Sequence, residues 1–159
     1  LKYYFFYLAN TNHRTTLGRS YKRKKSGLLI TVSVKVNNNK IKSLEHLYKF
    51  LSSSVDSPSS ITWLDISNNQ LPAIDAELFK FTELKILYLH GNSISEESEI
   101  RKLTKLKSLK KLTLHGNPLE RQKGYFYTII GILPNINNLD FTVVTVRDLD
   151  LAKFRLIKN

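Results

Sequence analysis

The chain has 159 residues, 42% of them hydrophobic, which is enough for one domain with a core of its own. Lys and Arg number 25 against 13 Asp and Glu, a net charge of +12. There is no Cys, so disulfides, thiolate chemistry and Cys-ligated zinc are excluded, and no run approaches the ~20 apolar residues of a membrane-spanning helix.

The charge is uneven. Residues 1–60 carry 11 basic and 2 acidic side chains, 61–100 carry 2 and 7, and 101–159 carry 12 and 4. This predicts basic patches at the two ends rather than one polyanion-binding surface. A chain that begins at Leu1 and has no Met reads as a fragment or a processed product.

Leu1–Ala9 is aromatic and apolar but too short to span a bilayer, and it lacks the small-residue pattern of a cleaved leader. Residues 10–27 are polar and basic, with Lys22-Arg23-Lys24-Lys25 as the densest cluster. With no periodicity, residues 1–27 read as a flexible or surface-draped arm. Residues 28–159 read as one repeat domain.

Within it, one spacing recurs. Leu84, Leu87, Leu89, Asn92 and Ile94 spell LxxLxLxxNxL. The same register fits Thr31, Val34, Val36, Asn39, Ile41; then Ile61, Leu64, Ile66, Asn69, Leu71; then Leu109, Leu112, Leu114, Asn117, Leu119. A fifth register without the Asn is Ile136, Leu139, Phe141, Val144, Val146. The anchors at 39, 69, 92, 117 and 144 are 30, 23, 25 and 27 apart, the period of leucine-rich repeats. The longest interval contains a serine-rich loop from Ser52 to Ser60.

Each xLxL core predicts a short strand with alternate side chains inward, paired in parallel with its neighbours. The return paths run over the other side through 44–54, 72–83 and 96–107 as helices or tight turns. Acids before bases in Glu96–Lys107 suit a helix dipole, with the charges on a solvated face. Asn39, Asn69, Asn92 and Asn117 are expected to form a buried ladder that pairs backbone groups at the turn. Tyr125–Leu133 predicts a helix ended by Pro134, and Arg147–Ile157 a closing helix with Leu149, Leu151 or Ala152, and Phe154 inward, capped by Thr145 or Asp148. The predicted fold is an α/β right-handed leucine-rich-repeat solenoid of four repeats, with a C-terminal cap over about residues 118–159.

The repeats, the doubled Leu-His-Gly-Asn at 89–92 and 114–117, and the Tyr125…Leu133-Pro134…Leu139-Asp140 ending resemble the cytoplasmic leucine-rich repeat group with a C-terminal repeat cap. That group includes the spliceosomal A-prime protein, axonemal dynein light chain 1 and tubulin-folding cofactor E. The resemblance covers about residues 17–150. It implies a small, non-enzymatic, cytoplasmic repeat protein with relatives around cilia and microtubules, and it supplies no catalytic residues.

The open strand face is the expected partner-binding surface, through Lys35, Trp63, Asp65, Ile86, Tyr88, His90, Lys111, Thr113 and His115. Trp63, Ile86 and Tyr88 make an apolar-aromatic centre with charges around it, the composition of a binding hot spot. The alternative is that Trp63 folds against the arm or the serine loop. His90 and His115 belong one strand apart, near the ~4.8 Å sheet spacing. A metal would need more ligands, and Ser67 and Thr142 in the same column are poor ones. We expect no metal there, and both rings hydrogen-bonded at the rim to neighbouring backbone or to each other. There is no G-x-S-x-G turn and no Gly-rich phosphate loop, so no enzyme and no cofactor are expected. The expected partner is a protein with an acidic surface. Nucleic acid is the weaker reading, because no aromatic platform is interleaved with the basic clusters.

Overall fold

The computed structural model describes residues 7–8 and 24–158. The expected arm, residues 1–27, therefore lies largely outside the described residues. Its last four residues turn into the domain, with Lys24 paired to Asp56 at 2.9 Å and Gly27 N–H donating to Lys24 C=O.

Seven short strands form one sheet in chain order: β1 (Tyr7–Leu8), β2 (Ser33–Lys35), β3 (Trp63–Asp65), β4 (Ile86–Tyr88), β5 (Lys111–Thr113), β6 (Asn138–Leu139) and β7 (Thr142–Val143). From β2 to β6 every pairing is parallel, with Val34, Leu64, Leu87, Leu112 and Leu139 in one register. These five side chains are completely buried. Each lies against its counterpart in the next repeat, so the core is a continuous stack that no single repeat could form alone.

The return segments close the other side. They are α1 (Leu47–Ser52), a 3₁₀ turn over Ala76–Lys80, α2 (Glu97–Lys102) and, in the cap, α3 (Tyr125–Ile132). Leu51, Leu78, Phe81, Ile100 and Ile129 seal the core from there. Carboxylates stitch consecutive returns together. Asp75 accepts from Leu44 N–H at 3.0 Å, Glu77 from Tyr48 N–H at 3.1 Å, and Glu99 from Ile74 N–H at 2.8 Å. The acidic middle of the sequence is therefore more than a solvated face.

Three rungs of the Asn ladder are buried. Asn92 donates to Leu89 C=O of its own repeat and Ile66 C=O of the preceding one, and accepts from Leu71 N–H. Asn69 and Asn117 repeat this pattern one unit before and one unit after. Asn39 differs from the expectation of a buried rung. It is half-buried and, among the described residues, its amide bonds to the Val36 and Asn37 carbonyls of its own repeat, with no earlier repeat described beneath it.

The ends differ most from the sequence expectation. β1 runs antiparallel to β2, Tyr7 opposite Lys35, and so occupies the first edge. The fifth register does not continue as a repeat. After Leu139 the chain turns through Asp140 and Phe141, both at positive φ, and returns as β7 antiparallel to β6. Phe141 and Val146, expected in the core, are therefore exposed. The closing helix α4 (Val146–Lys158) packs on α3 through Leu149 and buried Ala152, whereas Phe154 points out. Its start is a reciprocal box: Thr145 Oγ1 accepts from Asp148 N–H, and Asp148 accepts from Thr145 N–H and Oγ1–H. Among the described residues no helix is long and apolar enough to cross a membrane.

Candidate functional site

Because strand side chains alternate, burying the leucine column leaves its neighbours on the opposite face. The register sets Ser33, Trp63, Ile86, Lys111 and Asn138 in one row and Lys35, Asp65, Tyr88 and Thr113 in the next. His90 and His115 follow one row further on.

The rings on this face form a chain of contacts. Lys35 Nζ lies 4.8 Å from the Trp63 ring centre. Trp63 meets Tyr88 edge-on at 5.9 Å, and Tyr88 meets His90 at 6.0 Å. His90 and His115 stack 4.6 Å apart at an interplanar angle of 6°. Phe141 closes the series, 5.8 Å from both Tyr88 and His115. Edge-to-face and stacked pairs at these distances hold one another in place. The indole N–H of Trp63 is buried without a hydrogen-bond partner among the described residues.

Buried polar groups support the row from below. Asp65 accepts from Ser67 N–H and Oγ–H. His90 Nδ1 pairs with Thr113 Oγ1 at 2.7 Å. Asp140 accepts from Leu114 N–H and His115 N–H, lies 3.1 Å from His115 Nδ1, and takes the Tyr125 hydroxyl proton bond at 2.7 Å. Burial, and then the Asp140 charge, push the Tyr125 hydroxyl far above its ordinary pKa, so it stays a donor. Burial and the Asp65 charge likewise raise that of Tyr88. Burial, together with repulsion from His115, holds His90 below the usual imidazole value. Among the described residues no group of three or more His, Asp and Glu could hold a metal ion.

The leucine rich repeat family model matches residues 59–119. Over 146 residues the chain is 42% identical to leucine-rich repeat-containing protein 51 of Macaca mulatta, an alignment that covers 92% of this chain and 76% of that one. The chain belongs to the leucine-rich repeat-containing protein 51 family. It is also 28% identical over 121 residues to a Caenorhabditis elegans protein named probable U2 small nuclear ribonucleoprotein A′, covering 76% of this chain and 45% of that protein. Among solved structures, a chain of the Drosophila melanogaster SNF/U2A′ complex matches with a TM-score of 0.65 and 20% identity over 78% of this chain and 67% of that one, a likeness of fold.

Within this family member, the expected face residues separate into two groups. Trp63, Ile86, Tyr88, Lys35, His90 and His115 are half-buried and Lys111 is exposed, all on the open face. Asp65 and Thr113 are a correction. They are 6% and 1% exposed, with side-chain oxygens in internal hydrogen bonds, so they lie beneath the face instead of on it. Phe141 was missed as a face residue because the fifth register assigned it to the core. The pair of turn-formers a two-residue hairpin favours is absent there, since only Asp140 of the two is one.

Proposed function

We propose that this chain is a non-enzymatic scaffold that holds another protein on the open face of its sheet, centred on Trp63, Ile86 and Tyr88. Leucine-rich repeat arrays typically serve as extended binding surfaces. The observation that carries the reading is the unbroken row of ring contacts from Lys35 to Phe141, placed opposite the core. An acidic partner surface suits it. The face's own carboxylates, Asp65 and Asp140, are occupied internally, and neither Lys35 nor Lys111 has a carboxylate partner among the described residues. The test is affinity purification with wild type and with Trp63→Ala/Tyr88→Ala as baits. The double variant is expected to lose the main partner, and recovery of the same proteins in the same yield overturns the face.

The setting we propose is the cytoplasm, in a microtubule-associated assembly of the ciliary axoneme. The resemblance to axonemal and tubulin-handling repeat proteins supports it. The alternative setting is a nuclear ribonucleoprotein, favoured by the likeness to the Caenorhabditis elegans A′ protein. Microtubule co-sedimentation against RNA filter binding, each at several salt concentrations, separates them. Binding that collapses with salt and ignores the polymer's identity counts against both.

A further inference from the structure

The two residues joining β6 to β7 are Asp140 at φ 49 and Phe141 at φ 64. A two-residue hairpin loop with positive φ at both positions is the type I′ turn, whose second position favours glycine. Asp tolerates this region, but a large aromatic is an outlier there, and such strain persists only where something compensates it. Burial inside the chain does not compensate it, since Phe141 remains 63% exposed. The turn is fixed from beneath by Asp140, which accepts from Leu114 and His115 N–H and from the Tyr125 hydroxyl. The ring is thereby held over the face against Tyr88, His90 and His115, at 5.8, 6.3 and 5.8 Å.

We infer that Phe141 is a contact and specificity residue of the docking face, forming its C-terminal wall for a partner segment that seats an apolar side chain between Phe141 and Ile86 and sets carboxylates toward Lys35 and Lys111. This rests on the docking face proposed above and names its partner's chemistry. The charge argument selects an acidic segment, because the chain carries a net charge of +12 and neither Lys35 nor Lys111 is in ion-pair contact with a carboxylate among the described residues. The apolar anchor follows from the rings and Ile86 between those cations.

The variant Phe141→Gly separates binding from folding, because glycine suits the turn better than phenylalanine. Three synthetic peptides of equal length serve as probes: leucine and tryptophan anchors flanked by Glu, the same anchors flanked by Lys, and the Glu peptide with its anchors changed to Gly. An oligouridylate is the fourth probe. Fluorescence anisotropy on the full chain should show binding of the Glu-flanked anchored peptide alone. Phe141→Gly should weaken it about tenfold or more with an unchanged or raised Tm, and Phe141→Tyr should keep it. The inference falls if no peptide binds, if the Lys peptide, the anchorless peptide or oligouridylate binds as well, if Phe141→Gly binds like wild type, or if Phe141→Gly lowers Tm. If Trp63→Ala/Tyr88→Ala abolishes peptide binding and Phe141→Gly does not, the face stands and only its proposed wall is lost. If none of these variants changes binding, both fall.

Discussion

Asn92 ties two repeats with one amide, since it serves carbonyls of both and accepts Leu71 N–H. Asn92→Ala leaves those groups unpaired in a dry turn and should cost about 1–3 kcal/mol in a denaturant melt. A variant as stable as wild type would remove the ladder from the account. The residue before each ladder Asn is equally constrained: Asn38, Asn68, Gly91 and Gly116 all have positive φ, at 56, 52, 66 and 71. The repeated Asn-Asn and Gly-Asn pairs are the residue types that enter this region most readily, so this turn is legible in the sequence. The histidine pair was legible in position but not in orientation, which depends on Thr113 and Asp140 below the rings. His90 is held below the ordinary value of 6.5 by burial first and then by His115, against the attraction of Asp65 and Asp140. The unfolded chain then binds more protons than the fold as pH drops through 6.5, so this contribution is complete above 6.5 and is lost as pH falls through the folded pKa. Between about pH 7.5 and about pH 5.5, Tm should fall further for wild type than for His90→Gln. Equal slopes would show that His90 adds nothing to the pH dependence.

At the scale of elements, strands only three residues long hold together because each pairs on both sides and because the returns are tied to one another. Glu99 is one of those ties. Burial raises its pKa, yet the bonds from Lys102 and Ile74 N–H outweigh this and the net shift is downward. Glu99→Ala should cost about 1–2 kcal/mol, since Ile74 N–H loses its acceptor. Glu97→Ala should stay within about 0.5 kcal/mol, because Glu97 meets Arg101 on the surface. Equal costs in urea melts would mean that the stitching is ornamental. The α2 segment was legible as a helix with acids at its start. That one of those acids crosses to the previous repeat was not, because an acid facing solvent and an acid facing a neighbour's backbone look alike in sequence. The hairpin failed for a related reason: a strand that continues and a strand that turns back both show alternating apolar residues, and Asp140-Phe141 carries half of the usual turn signal.

At the scale of the molecule, a repeat array needs different solutions at its ends and its middle. Every middle repeat has the same neighbours, so LxxLxLxxN states its strand, its core column and its turn at once. The parallel register from Val34 to Leu139, the α/β solenoid and the open face follow from that period alone. At the ends the neighbours change. Asn39 has no rung beneath it among the described residues, Tyr7–Leu8 pairs antiparallel on one edge, and β7 folds back on the other. Which outward residues are free was also decided by packing: Asp65 and Thr113 share rows with Tyr88, yet small or short side chains sink beneath large rings and spend their polar atoms there. Phe141 reached the face because Asp140 partners just after β5 (Leu114 and His115) and on α3 (Tyr125) hold its turn in place. Local repetition is written in the chain because each unit meets copies of itself. The edges and the working surface are set by contacts between unlike parts, and no period encodes those.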